Sequence, residues 1–371
     1  MSRKYIISGG GTGGHIFPAL SIASEIRRRD PGASILFVGA LGRMEMERVP
    51  AAGFPIMGLP VEGIQRKLGF RNLVVLYKLL VSLCKAAGII RSFRPDMAIG
   101  VGGYASGPLL RMAALKKVPI VIQEQNSYAG VTNRWLARKA SRICVAYPGM
   151  EKYFPADKIV LTGNPVREEL FNRAVKKSEA CSFFGIPEGT KVLLVLGGSL
   201  GARTINNSIQ QHAAELEKEN IRVIWQTGRL YYERISTELG PKGFKNIKYF
   251  DFIHRMDLAY CVADVIISRA GAATISELCL LGKPAILVPS PNVAEDHQTK
   301  NAIALVRKNA AIMIPDKDAM VELVVRAVEL MHDPEQQAAL GSNIAKLALP
   351  GAAVKIVDEI NNLMDTRERT G

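Results

Sequence analysis

Cysteine is scarce in this chain, and the few cysteines present are not arranged as pairs. Among 371 residues there are five, namely Cys84, Cys144, Cys181, Cys261 and Cys279. Their odd number, their scatter and the lack of a Cys-x-x-Cys pair argue against a disulfide framework and against a cysteine zinc site. The cysteine usage therefore predicts a protein of the reducing cytosol.

Three further signals are missing. Residues 1–4 lead directly into a strand pattern, without the apolar stretch and cleavage site of a signal peptide. The best apolar run, residues 73–90, is interrupted by Lys78 and Lys85, so the sequence predicts no segment that spans a bilayer. Aromatic residues do not alternate with basic ones, which predicts that nucleic acid is not a partner.

Positive charge is what the chain has in excess. The formal net charge is +14 at pH 7, and 48% of the residues are hydrophobic. This composition is typical of a globular protein, and the length allows two domains with separate cores. The charge predicts an anionic partner, such as a phosphate-rich substrate or an anionic membrane.

Short apolar strands alternate with helices in both halves of the chain. The pattern predicts strands at residues 5–8, 34–38, 97–101, 119–122, 192–196, 221–226, 247–250, 265–268 and 285–288. The apolar pattern of the first helix covers residues 19–29. Such alternation favours α/β domains with doubly wound parallel sheets. Turn residues at 163–165 predict a hinge, which gives domains at 1–163 and 164–349. An amphipathic helix at about 350–371 can pack on either domain.

Three glycine-rich turns each follow one of these apolar strands, at residues 9–14, 102–107 and 197–201. Glycine lets backbone N–H groups approach a ligand, and a helix that begins after such a turn attracts phosphate. Devices of this kind in two different halves predict an enzyme that works between two α/β domains.

The first turn satisfies Gly-x-Gly-x-x-Gly, a pattern that is weak evidence by itself. A dinucleotide site also needs an acidic residue at the end of the second strand, and none follows here until Glu45. A dinucleotide site and a tight turn without ligand both remain open. His15 lies where the first helix should begin, and a neutral imidazole there can accept a proton, although a turn histidine without function fits as well.

A second strand-to-helix junction, at residues 269–277, consists largely of small residues that leave backbone N–H groups accessible to a diphosphate. Glu277 follows one turn into that helix, where it can either bind a ribose diol or stabilise the helix N-terminus. Residues 296–302 follow a later strand and place polar groups at the ligand-binding edge of a sheet. No His/Cys cluster is visible, so nothing in the sequence requires a metal.

Taken together, these motifs resemble the two-domain GT-B glycosyltransferases. Within them, the chain is similar to the peptidoglycan enzymes that add N-acetylglucosamine to undecaprenyl-pyrophosphoryl-MurNAc-pentapeptide. The resemblance covers nearly the whole chain and is carried by residues 10–18, 102–108, 124–126, 163–167, 197–203, 272–277 and 296–302. It implies an α/β fold of two doubly wound Rossmann-like domains, whose parallel sheets face a deep interdomain cleft.

The resemblance also implies a set of residues that contact a UDP-sugar: Thr12, Gly13, Gly14, Asn126, Arg167, Ser199, Ile253, Glu277 and Gln298. The nucleotide would be cradled by Ala272, Ala273, Thr274, Ile275 and Ser276. In this assignment Ile253 presents backbone groups to the uracil and Glu277 binds the ribose. Arg167 and Ser199 stabilise the diphosphate.

The implied reaction is an inverting, metal-independent transfer without a cofactor, from UDP-GlcNAc to the 4-hydroxyl of MurNAc in lipid I, which gives lipid II. Such a displacement needs a base, and His15 is the first candidate and Glu124 the second. Three alternatives stay open: a UDP-GlcNAc 2-epimerase, a nucleotide-sugar sensor without turnover, and an NAD oxidoreductase.

A lipid acceptor requires contact with a bilayer. Residues 63–95 contain seven basic residues and no acidic one; Arg71, Lys78 and Lys85 recur every seven residues beside apolar surface. This pattern predicts peripheral binding to anionic inner-leaflet lipids at the cytoplasmic face of the cell membrane. A core helix with one solvated stripe is the alternative. Contacts with other cell-wall synthesis proteins are a further expectation.

Overall fold

The computed structural model describes residues 2–62, 70–166, 176–198, 200–293 and 296–370. It divides into two compact units. The first consists of Met1–Val166 together with Leu349–Gly371, and the second of Arg167–Ala348. The boundary in the middle of the chain therefore lies three residues after the predicted domain boundary between residues 163 and 164.

The first unit is built on a parallel sheet of seven strands, in the order β3-β2-β1-β4-β5-β6-β7. The strands are β1 (Lys4–Ser8), β2 (Ser34–Ala40), β3 (Ile56–Leu59), β4 (Met97–Gly100), β5 (Ile120–Glu124), β6 (Arg142–Val145) and β7 (Ile159–Leu161). Its helices are α1 (Gly13–Arg29), α2 (Glu45–Ala51), α3 (Phe70–Phe93), α4 (Ser106–Leu115), α5 (Val131–Leu136) and, from the chain's end, α15 (Ala352–Thr370).

The second unit has a parallel sheet of six strands, in the order β10-β9-β8-β11-β12-β13. The strands are β8 (Val192–Leu196), β9 (Arg222–Gln226), β10 (Ile247–Phe250), β11 (Val265–Ser268), β12 (Ala285–Leu287) and β13 (Ile312–Met313). The helices are α6 (Lys177–Phe184), α7 (Arg203–Gln211), α8 (Ala213–Lys218), α9 (Tyr232–Leu239), α10 (Met256–Val262), α11 (Ala272–Leu281), α12 (His297–Val306), α13 (Ala319–Met331) and α14 (Pro334–Ala345).

Both sheets are covered by helices on their two faces, which explains why their strands are continuous apolar runs. All five residues of β8, for example, are buried, and separate hydrophobic clusters pack on the two faces of each sheet. The prediction of two doubly wound α/β domains is confirmed.

The strand order brings the sequence motifs together. In the first unit the chain reverses its winding between β1 and β4, and in the second between β8 and β11. The three glycine turns and the junction before α11 follow these four strands directly. Open α/β sheets bind ligands at such a reversal, outside the carboxyl ends of the strands.

Helix α15 packs on α1 in the first unit. Ile356, Val357 and Ile360 belong to the same buried cluster as Ile22. The structure thus decides which unit the amphipathic terminal helix joins, a question that the sequence leaves open.

Helix α3 is apolar and exposed along one side. Leu73 is 63% exposed, Tyr77 68% and Leu80 56%, whereas Val75 and Ala86 on the opposite side are buried. By length and composition, Leu73–Phe93 is long and apolar enough to cross a membrane. The two lysines do not bring this helix below the apolar content of a membrane-spanning segment, and the prediction that no segment spans a bilayer stays a prediction.

Candidate active site

The first glycine turn presents His15 in the opening turn of α1. Gly11 has a φ of +86°, and Thr12 is extended and precedes the helix. The Thr12 carbonyl accepts from the N–H groups of His15 and Ile16 at 3.1 and 3.2 Å. The helix therefore begins at Gly13, six residues before the apolar pattern predicts. It places Thr12, Gly13, Gly14 and His15 together after β1.

The imidazole of His15 is held from one side by the turn itself. Its Nδ1 lies 3.0 Å from the carbonyl oxygen of Gly10 and 3.4 Å from the hydroxyl of Thr12. A carbonyl can only accept, so the hydrogen bond to Gly10 places the proton of the neutral ring on Nδ1. Nε2 is then the nitrogen that can accept a proton.

The second glycine turn packs against the first. Gly102 and Gly103 have φ of +96° and +89°. A Cβ on Gly102 would lie 2.9 Å from Nε2 of His15, and one on Gly103 would lie 2.4 Å from the carbonyl oxygen of Gly10. Glycine is needed at these positions for close approach to the ring and to the other backbone. The two turns form one structure around His15.

The buried carboxylate of Glu45 contacts the backbone of the first glycine turn. Its Oε2 accepts from the N–H of Gly11 at 2.8 Å, and its Oε1 accepts from that of Ala40 at 3.0 Å. A phosphate on the Gly11 N–H would have to displace this carboxylate and would face its negative charge. The contacts of the first turn therefore disfavour phosphate, in contrast to the sequence interpretation.

Glu124 ends β5, and its carboxylate is buried with four N–H donors. Oε1 accepts from the backbone and side chain of Asn126, at 3.1 and 3.3 Å. Oε2 accepts from the Gly130 N–H at 3.0 Å and from Asn133 Nδ2 at 2.9 Å. Burial raises the pKa of Glu124, and these hydrogen bonds act in the opposite direction. All four partners are donors, which fits an ionised carboxylate that organises the loop carrying Asn126.

In the second unit, the third glycine turn interlocks with a loop that the sequence analysis did not single out. A Cβ on Gly228 would lie 2.1 Å from the backbone nitrogen of Gly201, and both glycines have positive φ. Asn206 Nδ2 donates to the Thr227 carbonyl at 2.8 Å, and Trp225 Nε1 donates to Asn206 Oδ1 at 3.0 Å. Buried side chains thus fix the two loops together.

Ile253 is anchored by Gln226, at the end of β9. The Ile253 N–H donates to Oε1 of Gln226 at 2.9 Å. The family resemblance implies that the backbone of Ile253 contacts the uracil. With its N–H engaged, the group of Ile253 that suits this role is the carbonyl oxygen, which can accept from the N3–H of uracil.

Helix α11 begins at Ala272 after Gly271, a residue without a side chain to cap the helix. Ala272, Ala273, Thr274, Ile275 and Ser276 form its first turns. The carboxylate of Glu277 is 6% exposed and accepts from the hydroxyl of Tyr260 on α10, at 2.9 Å. A helix N-terminus that carries partial positive charge therefore lies beside an oriented carboxylate.

Two side chains anchor the loop after β12. Arg269 Nη1 donates to the carbonyl oxygens of Val288 and Pro289, at 3.1 and 3.2 Å. Gln298 Oε1 accepts from the N–H of Ser290 at 2.9 Å. This hydrogen bond orients the carboxamide, whose Nε2 can donate to a ligand. Gln298 thus lies at the same strand end as the start of α11.

Two sequence-predicted residues, Arg167 and Ser199, lie outside the described residues. Within the described part of the chain, no group of three or more His, Cys, Asp or Glu side chains is arranged to hold a metal ion. The five cysteines all lie in the described part of the chain, and none of them forms a disulfide there.

Comparison with known proteins extends over both units. The model of the glycosyltransferase family 28 N-terminal domain matches residues 5–145, and that of the family's C-terminal domain matches residues 192–356. The first match contains both glycine turns of its unit and its strands except β7, and the second contains the third glycine turn and all six strands of its sheet.

Curated relatives align with nearly the full length. A UDP-N-acetylglucosamine–N-acetylmuramyl-(pentapeptide) pyrophosphoryl-undecaprenol N-acetylglucosamine transferase of Parabacteroides distasonis is 59% identical, over 98% of this chain and 100% of its own length. The transferase of the same name from Bacteroides fragilis is 56% identical, over 97% of this chain and 95% of its own.

Solved structures agree in fold. Acinetobacter baumannii MurG has a TM-score of 0.76 at 26% identity, over 98% of this chain and 100% of its own. A UDP-GlcNAc 2-epimerase from Neisseria meningitidis has a TM-score of 0.66 at 14% identity, over 98% and 100%, which shows the fold alone. The chain belongs to glycosyltransferase family 28, in the branch formed by these N-acetylglucosamine transferases.

Proposed function

We propose that this chain transfers N-acetylglucosamine from UDP-GlcNAc to the 4-hydroxyl of MurNAc in undecaprenyl-pyrophosphoryl-MurNAc-pentapeptide, which converts lipid I into lipid II. The observation that carries this proposal is the 59% identity to such a transferase along the full length of both chains. The arrangement of motifs at the carboxyl ends of both sheets supports it.

The second unit binds the donor in this proposal. The N–H groups of residues 272–276 and the positive end of α11 attract the diphosphate, and Arg167 and Ser199 add to its stabilisation. The carboxylate of Glu277 accepts from the ribose hydroxyls. The carbonyl of Ile253 accepts from uracil N3–H, and Gln298 contacts the sugar.

The first unit supplies the base and binds the acceptor. The C1–O bond to UDP breaks, a bond forms from the acceptor's O4 to C1 with inversion, and the hydroxyl proton passes to Nε2 of His15. UDP leaves with the bonding electron pair. Thr12, Gly13, Gly14 and Asn126, which follow β1 and β5, contact the sugar being transferred.

The contacts of the two candidate bases favour His15 over Glu124. Nδ1 of His15 donates to Gly10, which keeps the lone pair on Nε2. Both oxygens of Glu124 already accept hydrogen bonds from N–H groups, so an acceptor hydroxyl would have to compete with them. Glu124 therefore suits a role in holding the Asn126 loop.

A UDP-GlcNAc 2-epimerase is the alternative that shares the nucleotide loops. The epimerase similarity rests on 14% identity and concerns the fold, whereas the relatives above 50% identity are transferases. An epimerase also has no need of an exposed apolar helix beside basic residues.

The proposed transfer is tested by product analysis. The purified chain should convert radiolabelled UDP-GlcNAc and a short-chain lipid I analogue into the β-1,4-linked disaccharide product, with UDP released only when the acceptor is present. Release of ManNAc or UDP-ManNAc without acceptor would instead identify an epimerase.

Turnover should not depend on a divalent cation. Helix N-termini and Arg167 neutralise the departing diphosphate in this proposal, so EDTA in excess should leave kcat unchanged. The measurement is UDP release with EDTA, and again after addition of Mg²⁺ or Mn²⁺. A loss of activity that the metal restores would contradict the metal-independent mechanism.

We further propose that α3 binds the membrane surface through its exposed face, defined by Leu73, Tyr77, Leu80 and Cys84. These residues recur at helical spacing, and exposed Lys85 and Arg91 lie on or beside the face. Each basic residue near an anionic surface contributes about 1 kcal/mol to binding. Lys78, by contrast, pairs with Glu62 and is engaged within the protein.

The buried side of α3 indicates that this helix lies on the bilayer surface and does not cross the bilayer. Val75, Ser82, Ala86 and Ile90 are buried in the first unit, and α3 packs along α4. Insertion across the bilayer would remove these contacts. We therefore propose a peripheral protein at the cytoplasmic face; association with other cell-wall synthesis proteins stays a prediction.

Cys84 offers a direct test of this face. It is exposed, whereas burial raises the pKa of Cys144 and Cys279 to about 12 and keeps their thiols unreactive. Maleimide labelling of Cys84 should slow several-fold on anionic vesicles at low salt and stay unchanged on neutral ones. Cys84→Ser gives the background labelling. Equal protection by neutral and anionic vesicles would contradict the electrostatic contribution, and no protection would contradict the contact.

A further inference from the structure

Glu45 is a buried acid that the reaction as described above does not use. It is the first residue of α2, and its side chain is 1% exposed. Its carboxylate accepts from the N–H groups of Gly11 and Ala40, at 2.8 and 3.0 Å. It therefore ties the end of β2 to the first glycine turn. Burial of a carboxylate costs free energy, which its hydrogen bonds must offset. Removal of one hydrogen-bond partner would leave the other buried and unsatisfied.

The carboxylate also fixes the peptide of Gly10. A Cβ on Gly10 would lie 2.1 Å from Oε1 of Glu45, so the two groups are in direct contact. On its other side Gly10 meets the second glycine turn, where a Cβ on Gly103 would lie 2.4 Å from the Gly10 carbonyl oxygen. The Gly10 peptide is thus confined between Glu45 and Gly103.

The Gly10 carbonyl is the group that holds His15. Its oxygen lies 3.0 Å from Nδ1 of the imidazole, and this contact sets both the tautomer and the direction of Nε2. A shift of the Gly10 peptide would therefore turn the ring. The contacts run without a gap from Glu45 to Gly10 and from Gly10 to His15.

We propose that Glu45 is a positioning residue for His15, which it orients through the peptide of Gly10. The inference rests on the proposed function, in which His15 takes the proton of the acceptor. Glu45 is the first acid after β2, the region where a dinucleotide site has its ribose-binding acid. Its carboxylate, however, faces the backbone of the first glycine turn. A misplacement of about 1 Å at a reacting group costs about 10²-fold in rate.

Glu45→Gln tests this role with a side chain of the same size. The amide keeps one acceptor oxygen and sets an NH2 group against an N–H donor. We expect kcat to fall about 10- to 100-fold. UDP binding, measured by calorimetry, should be unchanged, because the nucleotide is assigned to the other unit.

The decisive readout is the same substitution in a His15→Ala background. If Glu45 acts through His15, it has nothing left to position there, and kcat should change less than about twofold. A merely structural effect would lower kcat by the same factor with and without His15, and this result would overturn the inference. A normal kcat for the single substitution Glu45→Gln would overturn it too.

Two further variants keep the outcomes distinct. Glu45→Asp retains both acceptor oxygens on a shorter side chain, so its kcat should fall between those of wild type and Glu45→Gln. This variant keeps the role testable if Glu45→Gln folds poorly. An Asp variant with normal kcat would contradict the role. His15→Ala alone tests the proposed base: wild-type turnover there would remove both the base assignment and this inference. A normal rate confined to the Glu45 variants would remove the inference only.

Discussion

Replacement of His15 by alanine should lower kcat by about 10²- to 10⁴-fold, the usual contribution of a general base. The affinity for UDP should change little, because the nucleotide is assigned to the second unit. The expectation follows from the hydrogen bond of Nδ1 to the Gly10 carbonyl, which leaves Nε2 to accept the proton. Steady-state kinetics of UDP release with a lipid I analogue measures it.

His15→Asn is the matched control for this substitution. Asparagine can still donate to the Gly10 carbonyl, but its side chain has no basic nitrogen. We expect it to lose as much activity as His15→Ala. If the asparagine variant kept most of the turnover, the hydrogen bond to the turn would matter and the proton transfer to His15 would not. Wild-type turnover in His15→Ala would dismiss His15 as the base.

Replacement of Glu277 by alanine should abolish the preference for a ribose over a deoxyribose. A hydrogen bond to a charged group contributes about 1.5–3 kcal/mol, so wild type should bind UDP about 10- to 100-fold more tightly than 2′-deoxy-UDP. In Glu277→Ala the two inhibition constants should be equal within about twofold. The ratio of these constants is insensitive to a general loss of stability.

Tyr260→Phe provides a graded companion to this measurement. The variant removes the hydroxyl that donates to Glu277 at 2.9 Å and leaves the rest of the buried ring in place. The preference for UDP should fall several-fold but should not vanish. Should Glu277→Ala retain the full preference, the ribose assignment would be wrong, whatever Tyr260→Phe does.

The sequence predicts the layers of the fold because parallel strands covered on both faces are uninterrupted apolar runs. Val192–Leu196 and Val265–Ser268 are found where the pattern puts them. The strands Ile56–Leu59 and Arg142–Val145 were missed, since they are short and include exposed or charged residues. Helix α1 was predicted too short, because its first turn consists of glycines and His15 instead of apolar residues.

The candidate site was predictable as a set of motifs but not as a set of contacts. Glycine turns after strands show where backbone groups lie close to other atoms, and they led to His15 and to the start of α11. They do not reveal what approaches them: Gly102 accommodates the His15 ring, and Gly228 accommodates Gly201. The partners Glu45, Gln226 and Tyr260 are distant in sequence from the groups they hold. Their contacts arise from strand order, which periodicity does not encode.

The central claim is that the donor diphosphate is held by peptide dipoles of the second unit, without a metal ion. The most direct measurement is a crystal structure of the protein with UDP. We expect the phosphates at residues 272–276, the ribose hydroxyls against Glu277 and the uracil against the Ile253 carbonyl. Phosphates bound to the N–H groups of the first glycine turn in place of the Glu45 carboxylate, or neutralised by a coordinated cation, would contradict it.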